Sequence, residues 1–196
     1  MINYKNKIKK YFEMVTDTLR SIDQDELIKS IKIIESTVQN NKIIYVMGNG
    51  GSASTASHIK SDLSNTVGHL KGVRVNVSCL SDSIATITAI ANDYSYELIY
   101  KKQLEGRLKQ GDLVIAVSGS GNSQNIIEAA EYAKSMQANI VAMTGYDGGK
   151  LKELADFNLH VPIDNMQISE DVHLLFNHLI TYVLNCSNKG IWCDCT

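Results

Sequence analysis

His58 and Asp62 stand four residues apart, which on a helix leaves them about 40° apart and on one face. An imidazole beside a carboxylate is an acid–base pair. One group takes a proton while the other returns one, as any reaction that moves hydrogen between adjacent carbons requires. Near the C-terminus, Glu170, His173 and His178 offer further titratable groups. Glu170 and His178 are eight apart, about 12 Å along a helix axis, so spacing alone does not make them converge. His173, five residues from His178, falls mostly on another face and suits either a subunit-boundary ligand or a satisfied structural histidine. His69 and His160 read as loop and strand-end residues.

A second chemistry lies in two glycine–serine segments, Gly48-Asn49-Gly50-Gly51-Ser52 and Ser118-Gly119-Ser120-Gly121-Asn122-Ser123. Each follows a short apolar run and precedes a helical pattern. Glycines let the backbone approach an anion, a helix start offers unpaired N–H donors, and serine adds hydroxyls. The lysine of a nucleotide-binding P-loop is missing, and the first segment lacks the dinucleotide fingerprint G-x-G-x-x-G. The two loops together imply a phosphomonoester held by hydroxyls and amides with little help from Lys or Arg.

The elements that must position these groups follow from hydrophobic periodicity. Ile8, Tyr11, Phe12, Val15 and Leu19 recur at helical spacing, as do Leu27, Ile31, Ile34 and Val38 behind an Asp23–Glu26 capping box. Two helices therefore open the chain, and Ile8, Phe12, Val15 and Leu19 are expected to bury against a neighbouring subunit. Short apolar runs then predict parallel strands at Ile43–Met47, Val73–Val77, Leu113–Val117, Ile140–Met143 and Phe157–Val161. Crossover helices fill Ser52–Asn65, Ile84–Lys109, Gln124–Met136 and Gly149–Leu154, and a last helix runs from about Gln167 to Cys186. Such alternation predicts a three-layer α/β fold on a five-stranded parallel sheet, with ligands beyond the carboxyl ends of the strands.

The 196 residues suit one domain, divided into helices over 1–40, an α/β core over 41–186 and a tail over 187–196. Nineteen basic against twenty-one acidic side chains leave a net charge of −2, with no basic run to attract nucleic acid. No stretch reaches the length of a membrane span and the N-terminus lacks a signal peptide's apolar core, so a cytoplasmic location is expected. Cys79, Cys186, Cys193 and Cys195 have no framework-like spacing, and Cys193-Asp194-Cys195 reads as a frayed terminus rather than a metal site.

Four segments in order, Gly48–Ala53, Ala91–Asp93, Ser118–Ser123 and Thr144–Gly149, resemble sugar isomerase (SIS) domains of the phosphoheptose isomerase group, over about Tyr4 to Leu184. The resemblance implies a homotetramer with active sites at subunit boundaries. It implies isomerisation of sedoheptulose 7-phosphate to an aldoheptose 7-phosphate through an enediol, towards nucleotide-activated heptose for surface polysaccharide. By the same resemblance Ser52, Ser118, Ser120 and Ser123 hold the phosphate beside Gly50, Gly51 and Gly119. Asn49, Asp93 and Glu170 line the sugar pocket, Asp62 is the base and His178 the acid. Some members bind zinc, and the matching positions are His58, Asp62, Glu170 and His178.

Five positions depart from the family pattern: Gly119 replaces its usual Thr, Asp62 its Glu, Thr66 its Arg, and Glu170-Asp171 its Gln-Glu. The carboxylate at 170 in place of an amide would bring the proposed ligands to two negative charges, matching a divalent ion. The alternative is a non-catalytic SIS tetramer that binds the bacterial replication initiator. That branch generally lacks the histidine at 178. A phosphosugar-sensing regulator would need an attached DNA-binding domain, for which two short opening helices leave no room.

Overall fold

The computed structural model describes residues 3–67, 72 and 74–186. His69, Val73 and the tail with Cys193, Asp194 and Cys195 lie outside them. Two helices, α1 (Tyr4–Arg20) and α2 (Gln24–Gln39), precede β1 (Ile43–Gly48) and α3 (Gly51–Ser61), which runs directly into a π-helical turn over Asp62–Val67. There follow β2 (Asn76–Cys79), α4 (Ile84–Asp93), a 3-10 turn (Tyr96–Leu98) and the short α5 (Lys101–Leu104). The chain continues through β3 (Leu113–Ser118), α6 (Gln124–Ser135), β4 (Asn139–Thr144), α7 (Gly149–Leu154), β5 (Phe157–His160) and α8 (Met166–Cys186).

All strands are parallel, in the order β2-β1-β3-β4-β5. Strand side chains alternate between two cores. Ile44, Val46, Ile115, Val117, Val141 and Met143 face α2, α3 and α8. Tyr45, Met47, Val114, Ala116, Ile140 and Ala142 face α6, α7 and the segment from Leu80 to Leu108. Covering both faces yields the expected three layers. The chain leaves β1 towards β2 on one side and enters β3 on the other, so the carboxyl ends of β1 and β3 flank the topological switch point where such sheets bind ligands.

Four sequence expectations need correction. The helix predicted over Ile84–Lys109 is interrupted, because Asn92 and Asp93 are poor helix formers and the chain turns out of helical geometry at Tyr94. The second strand lies later than Val73–Val77, because it is an edge strand whose bounds are set by pairing with Ile43–Val46 rather than by apolar content. Val15 and Leu19 pack on their own subunit's core, while Ile8 and Phe12 stay 57% and 65% exposed. Asp23 caps α2 by accepting from the Asp25 and Glu26 amides, yet Glu26 does not complete a box: it bonds Lys29 Nζ and the Asn158 amide. Tyr11 ties α1 to α8 by donating to Asp171 Oδ2 at 2.5 Å.

Candidate active site

The loop after β1 places Asn49 and Gly50 ahead of α3, whose first turn holds Gly51 and buried Ser52. Asn49 is fixed by an amide pair: its Nδ2 donates to Asn125 Oδ1 and its Oδ1 accepts from Asn125 Nδ2, both at 2.9 Å. Tyr100 Oη lies 3.1 Å and Tyr96 Oη 3.3 Å from the same Oδ1. Tyr100 also donates to Gly48 O at 2.5 Å, and Ser81 Oγ donates to that carbonyl at 2.9 Å while accepting from the Gly48 amide. With its oxygen saturated, Asn49 keeps one amide N–H for a ligand.

Asn125 lies in the first turn of α6, immediately after the second loop, so the amide pair also sets the distance between the two loops. In that loop Ser118 Oγ and Ser123 Oγ face each other at 3.5 Å, and Ser120 Oγ accepts from the Asn122 amide at 3.2 Å. Gly119 is buried, its carbonyl accepting from the Gly145 amide at 2.8 Å. Asp93 lies exposed at the end of α4 and accepts from Asn92.

Beyond the first loop, α3 presents His58, and Asp62 sits where its regular turns give way to the π-helical turn. Such a turn re-aims side chains and is common at functional sites. His58 Nε2 is 3.4 Å from Asp62 Oδ2, and the His58 and His178 rings meet edge-on at 5.0 Å. One ligand atom from each of His58, Asp62 and His178 lies within 4.8 Å of the others. Asn177 Nδ2 donates to Asp62 Oδ2 at 2.7 Å. Both contacts use Oδ2.

Glu170 stands outside this triad. Its carboxylate lies over Gly51, where a Cβ would come within 2.8 Å of Oε1. The absence of a side chain at 51 thus lets an acidic group sit at the start of α3. Glu170 and Asn177 are seven residues apart, two turns, so one face of α8 runs from the first loop to the Asp62 side chain. His173 lies between them, fully buried, with no hydrogen-bond partner for either ring nitrogen by distance and angle among the described residues, and burial pulls its pKa down to about 4. Its full burial within the chain does not suit a subunit-boundary ligand, and among the described residues it is not a satisfied histidine. His160 fits its strand-end reading, its Nδ1 being 3.0 Å from Thr144 Oγ1. Burial pushes the Cys79 thiol up to about 11, which makes it a poor nucleophile.

Asn177, Asn125, Tyr96 and Tyr100 escaped the sequence reading. A signal for Asn177 existed. Ser169, His173, Asn177 and Thr181 recur every four residues beside the apolar stripe of Ile168, Val172, Phe176 and Ile180, and all four polar residues are buried. A polar stripe that enters a core calls for partners there: Asn177 meets Asp62 and Ser169 the Asn165 carbonyl, whereas His173 and Thr181 have no hydrogen-bond partner among the described residues.

Residues 4–145 match the SIS domain family. The chain is 37% identical over 164 residues to the phosphoheptose isomerase of Aliarcobacter butzleri, covering 83% of this chain and 85% of the relative. It is also 37% identical to that of Helicobacter pylori, covering 89% and 92%. The solved structure of a phosphoheptose isomerase from Francisella tularensis superposes with a TM-score of 0.86 at 28% identity, covering 94% of this chain and 99% of that one.

Proposed function

Because the chain belongs to the SIS domain family, within its phosphoheptose isomerases, we propose that it interconverts sedoheptulose 7-phosphate and an aldoheptose 7-phosphate. The observation behind this reading is the convergence of His58, Asp62 and His178 within 4.8 Å beside two serine-rich loops at the switch point. The phosphate is taken by Ser52, Ser118, Ser120 and Ser123 with the loop amides, while Asn49 offers its remaining N–H to a sugar oxygen. Asp62 takes a proton from C1 as His178 protonates the carbonyl oxygen at C2, giving the enediol. Return of a proton to C2 and loss of the O1 proton give the aldehyde. Asn177 holds Asp62 in position for the first transfer.

The donor set of two imidazoles and one carboxylate would suit zinc. His58, Asp62 and His178 would hold the ion, which supplies positive charge beside the reacting oxygens. Glu170, the fourth ligand that the resemblance implies, lies over Gly51 at the start of α3. Zinc near one equivalent per chain, and a rise in melting temperature on adding zinc that is lost in His58→Ala, would support the site. An assembly of four chains accounts for the exposed Ile8 and Phe12 and for α4, an apolar helix with no buried residue. Among the described residues no helix is long and apolar enough to cross a membrane, in keeping with work on a phosphosugar in the cytoplasm.

Incubation with sedoheptulose 7-phosphate in deuterated water tests the reaction. The expected product is an aldoheptose phosphate carrying deuterium at C2. Neither product nor deuterium in recovered ketose, from folded zinc-supplemented protein, would reject the proposal.

A further inference from the structure

Gly119 lies between two of the phosphate-loop serines, and its φ is not in the left-handed region that favours glycine. Its backbone would accept any side chain. A Cβ built there, however, overlaps Met166 Sδ and lies 3.3 Å from Met166 Cε. The loop cannot simply retreat, because the Gly119 carbonyl is held by the Gly145 amide and the Gly121 amide bonds Ser118 O at 3.0 Å. Met166 is the first residue of α8, one turn before Glu170, so the start of this helix covers both loops: Glu170 rests on the first and Met166 on the second.

We propose that Met166 is a specificity-determining residue of the phosphate site. Its thioether takes the volume that a side chain at 119 would fill, and so sets the room that the Ser118–Ser123 loop leaves for a phosphate. The proposal rests on the reading that this loop takes the phosphate. An unbranched thioether adapts its shape to a small gap, which suits it to sit against a bare backbone. A group at 119 therefore requires the Met166 thioether to swing out of its present position, and this chain leaves that space to Met166. The corner next to Ser118 and Ser120 is apolar as a result and lacks a hydroxyl donor.

Four proteins test the pairing: the parent, Gly119→Thr, Met166→Ala and the double variant. The readouts are KM and kcat for sedoheptulose 7-phosphate and the inhibition constant of inorganic phosphate. Gly119→Thr is expected to raise KM and the phosphate constant at least tenfold while changing kcat less than twofold. Adding Met166→Ala should bring both constants back to within about threefold of the parent. A merely structural defect would not divide in this way between KM and kcat, nor be relieved by a second truncation. Should Gly119→Thr not fold, Gly119→Ala adds the colliding Cβ alone and replaces it in the series. A glycine variant with parental constants, or a double variant as weak as the single one, overturns the pairing. The double variant Ser118→Ala/Ser123→Ala separates the two possible failures. If it weakens phosphate inhibition while the glycine variant does not, the pairing alone is wrong. If it leaves inhibition unchanged, the loop is not the phosphate site and the proposal falls with that reading.

Discussion

The two ends of the site are built differently. Around the loops, apart from the Glu170 carboxylate over Gly51, the groups are neutral hydroxyls and amides, with neighbours of the same kind: Ser118 opposite Ser123, and Asn49 paired with Asn125. Around Asp62 it meets three titratable groups within 4.8 Å, one of them steered by a single donor, Asn177. On the proposed reading, grip would be shared among many modest contacts, whereas proton transfer would be concentrated in a few groups with no understudy. Substitutions at the two ends should therefore differ in size and in which kinetic constant they move.

The largest effects belong to the concentrated end. Asp62→Asn and His178→Ala should each lower kcat at least a hundredfold with KM within a few-fold of the parent, because acid–base groups contribute about 10²–10⁴-fold in rate. Asn177→Leu removes only the steering donor, so a drop of about tenfold is expected, again in kcat. Steady-state kinetics with folding checked by circular dichroism measure all three. A KM-only effect at Asp62 would erase the contrast between the two ends.

His173 sharpens the contrast from between the ends, on the same helix as exposed His178. Its imidazole is buried neutral with the pKa lowered to about 4, while an unfolded chain takes up the proton near the ordinary value of about 6.5. Above pH 6.5 neither state is protonated and this group adds no pH dependence. As pH falls from 6.5 to 4 the unfolded state alone gains the proton, so stability declines, by about 3 kcal/mol over the full interval. Urea unfolding at a series of pH values should show that acid slope, and His173→Leu should flatten it.

The loops were legible because their signal is local: a glycine–serine run between an apolar stretch and a helical one specifies a turn, a strand end and a helix start at once. His58 and Asp62 were legible for the same reason, being one turn apart. What escaped depends on distance in the chain. Nothing near residue 49 announces that residue 125 will pair with it, since that contact arises only when β1 and β3 lie side by side. Glu170 and His178 looked too far apart to share a site, and they do address different parts of it: Glu170 covers the first loop, and His178 joins the acid–base cluster. The break after Asp93 was missed because apolar content alone cannot separate one long helix from a helix and two short turns. Burial of Val15 and Leu19 within the chain, against exposure of Ile8 and Phe12, likewise cannot be read from periodicity that treats all four alike.

The smallest effects should come from single serines of the distributed end. A neutral hydrogen bond contributes about 0.5–1.5 kcal/mol net, more when the acceptor is charged, so Ser52→Ala, Ser120→Ala or Ser123→Ala should raise KM roughly two- to tenfold with kcat nearly unchanged. Ser118→Ala should fall in the same range. Although Ser118 is buried, its Oγ meets only Ser123 at the outer limit of a hydrogen bond, and Ser123 can turn to the ligand instead. Combining Ser118→Ala with Ser123→Ala is therefore the stringent measurement. If the two hydroxyls share one phosphate oxygen, the double variant should lose more than the product of the single losses, because the first deletion is partly covered by the remaining partner. Strict multiplicativity would mean that the serines grip separate oxygens, which keeps the distributed character but removes the redundancy. A hundredfold loss in kcat from any one of them would show that the loop takes part in proton transfer, and the division between the two ends would no longer hold.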